Sequence, residues 1–186
     1  MSTIEVEPTP NPDCLKFIPG LQFLKGPGQN YDNIAQTNGS PLAETLFAIN
    51  GVVAVHIGQD FITITKDQGH DWTQLKTQIL STLFDFLASG RPVIIESEAQ
   101  AGEENNNGDN DSEIIAQIQE LIDLRIRPAI ARDGGDVSFH GFSDGIVRLR
   151  LLGACSGCPS AEATLKYGIE NLLKHYVPEI KAVEPV

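Results

Sequence analysis

Positive charge is scarce in this sequence, and so is cysteine. Lys and Arg total 13 against 25 Asp and Glu over 186 residues, a formal net charge of −12, and no arginine precedes Arg91. A surface of that sign repels phosphate backbones and anionic lipid, which argues against nucleic acid and membrane as partners. No apolar run approaches the roughly 18 residues that a spanning helix needs. The start, Met1 to Pro8, is acidic and offers neither the basic, apolar order of a signal peptide nor an arginine-rich transit segment. A cytoplasmic (bacterial) setting is therefore expected, or the mitochondrial matrix if a transit peptide has been trimmed. Only three cysteines occur, Cys14, Cys155 and Cys158. An odd, sparse set does not make a secreted disulfide framework and fits a reducing compartment. The sequence has no nucleophile–base arrangement, phosphate-binding loop or internal repeat, so hydrolase and kinase chemistry lacks support.

What the chain does have is a compositional break near its middle. From Glu96 to Ser112 there are six acids, no base, a triple asparagine and no apolar residue larger than alanine. Such a stretch cannot bury enough surface to offset its ordering entropy and reads as a flexible, self-repelling linker. The expected fold class is α+β: two small mixed domains, residues 1–96 and 113–186, joined by a flexible acidic linker over 97–112. Each flank is long enough to fold alone.

In the first domain, Val52–Ile57 and Phe61–Thr65 are β-branched runs joined by Gly58-Gln59-Asp60, a hairpin signature. Cys14–Ile18 is a third strand, and Val93-Ile94-Ile95 is expected to close the sheet. Ser40-Pro41 starts a helix with proline in its first turn. Asp71 caps a second helix in which Trp72, Leu75, Ile79, Leu83, Phe86 and Leu87 recur at helical spacing until Gly90. Trp72, Phe84 and Phe86 are expected to face the core.

The second domain is expected to run helix, hairpin, CxxC loop, helix, strand. Ser112 suggests the N-cap of a helix with Ile115, Ile118, Ile122 and Ile126 on one face, kinked or ended at Pro128. Asp133-Gly134-Gly135-Asp136 reads as a turn, and lacks the twelve-residue pattern of a calcium loop. Arg125, Arg127 and Arg132 are expected to pair with Asp123 and Asp133. Strands over Val137–Phe142 and Ile146–Leu152 flank Ser143-Asp144-Gly145. A helix from about Ala161 to Tyr176 ends at Pro178, and Ile180–Val186 returns as a last strand.

Cys155-Ser156-Gly157-Cys158 is a CxxC motif between a strand and a helix, with Pro159 suited to the first helical position. A helix start offers free N–H groups and partial positive charge, which stabilise thiolates. Glycines at 153 and 157 let the backbone pass close to whatever the sulfurs hold. Four readings stay open: two small buried residues, a dithiol–disulfide switch, half a zinc site, or ligands to an iron–sulfur cluster. A dithiol switch of thioredoxin type wants a βαβ unit ahead of the motif, and only a helix and a hairpin precede it. Structural zinc takes four ligands, and His140 and His175 are poorly placed to complete the set. Clusters also take four thiolates, which two copies of this loop related by a twofold axis would supply.

The string Arg127-Pro128, Asp133-Gly134-Gly135-Asp136-Val137, Gly145, Gly153-Ala154-Cys155-Ser156-Gly157-Cys158-Pro159-Ser160, Thr164-Leu165-Lys166, Gly168-Ile169-Glu170 and Pro178-Glu179 resembles the C-terminal NifU-like domain of Nfu iron–sulfur proteins. Thr9-Pro10-Asn11-Pro12, Leu15–Gly20, Ser40–Ala43, Gly51-Val52 and Asp60–Lys66 resemble the N-terminal domain of the mitochondrial and alphaproteobacterial type. The resemblance spans nearly everything but the linker. It implies a scaffold or carrier, not an enzyme. Such a protein receives a cluster from an upstream assembly donor, commonly of the 4Fe–4S and less often the 2Fe–2S type, bridged in a homodimer, and passes it to apo iron–sulfur proteins. Cys155 and Cys158 match the family's ligand positions, and the N-terminal domain's implied part is partner recognition. Cys14 falls where a small polar residue is expected and is read as incidental.

Overall fold

The computed structural model describes residues 3–95, 109–156 and 159–186. The chain divides into two compact units, residues 1–101 and 102–186. Of the expected flexible linker over 97–112, residues 97–108 lie outside the described residues, and the backbone of 109–112 belongs to a helix.

Among its described residues the first unit is a five-stranded antiparallel sheet with two α-helices and a short 3-10 turn at Ile34–Gln36. Its strands are β1 (Glu5–Pro8), β2 (Cys14–Ile18), β3 (Gln29–Tyr31), β4 (Val52–Ile57) and β5 (Ile62–Lys66), in the order β1-β2-β5-β4-β3. Helix α1 (Pro41–Phe47) begins as its sequence suggests: the Ser40 side chain accepts from the Ala43 N–H, and Pro41 follows. In α2 (Trp72–Ala88) Asp71 accepts from the Thr73 N–H, and Leu75, Ile79, Leu83 and Phe86 are buried. Together with Leu42 and Leu46 of α1 they pack on Phe17, Tyr31, Val55, Ile57, Ile62 and Ile64 of the sheet. Phe84 lies off that stripe and is 52% exposed, contrary to expectation. Trp72 is partly buried and donates from its indole N–H to the Pro12 carbonyl.

Val93–Ile95 does not form a strand. The Ile95 N–H donates to the Gly39 carbonyl, and the Val93 carbonyl accepts from the Ser40 hydroxyl, so this segment ties down the start of α1. The sheet edges are taken by β1 and β3, whose polar sequences Glu5-Val6-Glu7-Pro8 and Gln29-Asn30-Tyr31 carry no strand signal. A row of polar side chains also crosses all five strands. Glu7, Lys16, Thr63, His56 and Asn30 are successive cross-strand partners. Lys16, His56 and Thr63 in this row are buried; the Lys16 ammonium meets Glu7 at 3.2 Å and lies over the Phe61 ring.

The second unit opens with α3 (Asp109–Leu121), a π-helical stretch over Ile122–Ile126, and α4 (Arg127–Arg132). Helix α3 starts at Asp109, ahead of Ser112. The helix does not end at Pro128. The Arg127 N–H reaches back five residues to the Ile122 carbonyl, and this wide turn lets the helical path continue into proline. Strands β6 (Gly135–Ser143) and β7 (Ile146–Gly153) form a hairpin turned by Asp144 (φ 55°) and Gly145 (φ 84°). Helix α5 (Pro159–Tyr176) then leads to β8 (Ala182–Pro185), which lies parallel to β7 and completes the order β6-β7-β8. Ile118, Ile122, Ile126 and Ile130 pack on Val137, Phe142, Val147 and Leu149 of the sheet and on Ile169 and Leu173 of α5. Among the described residues no helix is long and apolar enough to cross a membrane.

Candidate functional site

Strand β7 ends at Gly153, whose φ of 65° turns the chain out of the sheet. The turn that follows is tied from three directions. The Ala154 N–H donates to the Gly134 carbonyl at 3.1 Å. The Ser156 N–H and hydroxyl both donate to the Gly153 carbonyl, at 3.1 and 2.8 Å. Cys155 sits between these anchors, 7% exposed and part of the apolar core. Cys158 lies outside the described residues, so the geometry of the cysteine pair is not described. The backbone resumes at Pro159, the first residue of α5, as its sequence position suggests.

The floor beneath Cys155 is the Asp133–Asp136 stretch. Asp133 follows the last residue of α4, and Gly134 (φ 75°) donates its N–H to the Ala131 carbonyl, closing the helix. Gly135 already belongs to β6 and pairs with Gly153 across the hairpin. The stretch is therefore a helix stop that runs directly into a strand. Asp136 is buried. One of its oxygens accepts from the Val137 N–H and from the Arg127 guanidinium, both at 2.7 Å. Arg127 also donates to Asp123 at 3.0 and 3.1 Å. Sequence reasoning found the Asp123 partner but chose Asp133 where the structure places Asp136. The turn reading of this stretch hid that its fourth residue points inward from a strand.

On the far side of α5, Glu170 straps the helix to β8. Its carboxylate accepts from the Lys174 ammonium at 2.6 Å and from the Val183 N–H at 3.1 Å. These bonds, that from Lys174 foremost, hold the Glu170 carboxyl below the usual carboxylate range. His140 occupies the bulge of β6 and is exposed; His175 is exposed in the last turn of α5, edge-on to Tyr176. Among the described residues no three His, Cys, Asp or Glu side chains gather as a metal cluster would need. Cys14, in the other unit, is buried and its sulfur lies 3.2 Å from the Thr65 hydroxyl.

A thiol fixed in a glycine-walled turn can serve as a metal ligand or a redox sulfur. The CxxC here follows an antiparallel hairpin, whereas thioredoxin-like dithiols follow a βαβ unit. Comparison with known proteins extends the reading. The sequence profile of the NifU-like domain matches residues 118–184, and that of the N-terminal region of scaffold protein Nfu/NifU matches residues 4–90. NifU-like protein 4, mitochondrial, of Arabidopsis thaliana is 46% identical over 97% of this chain and 65% of its own length. The NFU1 iron–sulfur cluster scaffold homolog, mitochondrial, of Homo sapiens is 48% identical over 98% of this chain and 71% of its own. The chain thus spans about two thirds of the length of the curated relatives it matches. A NifU-like protein from Saccharomyces cerevisiae, solved by solution NMR, is 33% identical with a TM-score of 0.47, covering 52% of this chain and 87% of that one.

Proposed function

We propose, since this chain belongs to the Nfu family of iron–sulfur cluster scaffold proteins, that it holds a cluster between two copies of itself and hands it to apo-proteins. The relatives are scaffolds rather than enzymes, and the reading here is likewise of a carrier with no catalytic residue. The observation that carries it is Cys155, a thiol held in a glycine-rich turn at the end of β7, three residues before a second cysteine and four before α5. Cys155 and Cys158 are the ligands. Clusters of either common type take four thiolates, and one chain supplies two, so a twofold dimer completes the set. The proposed cargo is a 4Fe–4S cluster, with 2Fe–2S as the alternative.

Transfer proceeds by ligand exchange. An acceptor thiol attacks iron, its Fe–S bond forms as a bond to Cys155 or Cys158 breaks, and the acceptor's proton passes to the released thiolate. No electron moves, and no free cluster is released. Residues 113–186 carry the cluster, 97–112 link, and 1–96 recognise partners: an upstream donor on one side, apo iron–sulfur proteins on the other. A reducing compartment, cytoplasm or mitochondrial matrix, keeps the thiols ready.

Anaerobic purification tests this, with iron, sulfide, zinc and oligomer mass measured on one sample. About four irons and four sulfides per dimer are expected. Cys155→Ser or Cys158→Ser should abolish loading while circular dichroism stays unchanged. A double variant that still delivers clusters would sink the proposal. Bound zinc with unfolding on chelation would point to an interaction module. A reversible Cys155–Cys158 disulfide with insulin-reducing activity would point to a dithiol oxidoreductase.

A further inference from the structure

Two glycines stand side by side ahead of β6, and they are glycines for different reasons. Gly134 has a φ of 75°, a backbone conformation that side chains disfavour. Gly135 has no such conformation; it is an extended residue of β6, where any side chain fits the backbone. What excludes a side chain there is a neighbour. A methyl group built on Gly135 would overlap the Cys155 sulfur and would lie 3.0 Å from the Cys155 Cβ and 2.9 Å from the Ile130 Cγ2. The sulfur therefore rests directly on the Gly135 backbone. Both sides of this contact are fixed. Gly135 pairs with Gly153, two residues before the cysteine, and Ala154 is bonded to the Gly134 carbonyl. On the other flank, Asp136 is held by Arg127, and Ile130 closes the seat from α4.

We infer that Gly135 is a positioning residue for Cys155: its bare backbone is the seat that sets where the first sulfur of the CxxC loop stands when the cluster is received. The inference rests on the cluster-carrier reading for its purpose but not for its geometry. The seat works by leaving room for one atom. A side chain at 135 would lever the sulfur toward solvent without touching Cys158's place in the sequence or the helix behind it.

Gly135→Ala tests this in the full chain. Site-resolved iodoacetamide labelling should rise ~10-fold at Cys155, since a thiol's reactivity follows its exposure, and stay unchanged at buried Cys14. Reconstituted iron per chain should fall below half of wild type, with an altered absorption spectrum. A stability cycle covers the case in which the variant folds poorly. The drop in Tm caused by Gly135→Ala should shrink by at least half when made in a Cys155→Gly background, where no sulfur occupies the seat. Equal drops in both backgrounds, Cys155 labelling within twofold of wild type, or full loading with an unchanged spectrum would each overturn the inference. A wild-type chain that takes up no iron overturns the carrier reading instead, and labelling and the Tm cycle still decide whether the seat exists.

Discussion

Arg127 and Asp136 meet with little water between them, at 11% and 4% side-chain exposure. Removing the guanidinium leaves a buried carboxylate without its cation. Arg127→Met should cost about 3 kcal/mol in urea denaturation of the second unit, the scale expected for a broken buried pair. Lysine should rescue little, because one ammonium cannot reproduce the fork that reaches Asp123 and Asp136 together. Glu170 offers a pH-dependent counterpart. Its carboxyl ionises at lower pH folded than unfolded, so its contribution is complete above the unfolded value, about 4.3, and disappears as pH falls through the folded one. The Tm gap between wild type and Glu170→Gln should thus be widest above about pH 5 and close toward pH 3. The cysteine motif and the Asp123 pairing are legible in sequence because they are local patterns. The Asp136 partner and the seat on Gly135 are not, since both depend on where a helix stop becomes a strand.

At the scale of elements, four isoleucines along the first helical stretch of the second unit show what periodicity alone leaves open. Ile118, Ile122, Ile126 and Ile130 recur every fourth residue and are all buried. In a regular α-helix each such step overshoots a full turn by about 40°, so the stripe would drift some 120° from first to last. The π stretch at Ile122–Ile126 winds more slowly and cancels part of that drift. Sequence shows the stripe and the proline, but not the wider turn that reconciles them. In the first unit the strands with β-branched runs and both capped helices are legible, while the polar edges β1 and β3 are not. The Ser40 hydroxyl both caps α1 and holds the Val93 carbonyl. Ser40→Ala should therefore cost about 1–2 kcal/mol, read from Tm, which is more than an exposed cap alone would lose.

At the scale of the molecule, each unit has its own apolar core. Residues 109–186 expressed alone should fold and load iron to the level of the full chain, and residues 1–95 should fold and load none; analytical ultracentrifugation should show mass doubling only in the loaded species. That the chain has two units is legible because composition changes between Glu96 and Ser112. One consequence reaches the gene. A helix with an extra residue in one turn carries a spare count. Loss of codon 124 or 125 would turn the π stretch into ordinary α turns, and removing one step of about 100° brings Ile126 and Ile130 back to the face of Ile118 and Ile122. Missense changes at exposed Asp123, Leu124 or Arg125 leave that count intact. Inherited one-codon deletions at 124 or 125 should therefore be tolerated better than the same deletions in the regular turns of α3 or α5.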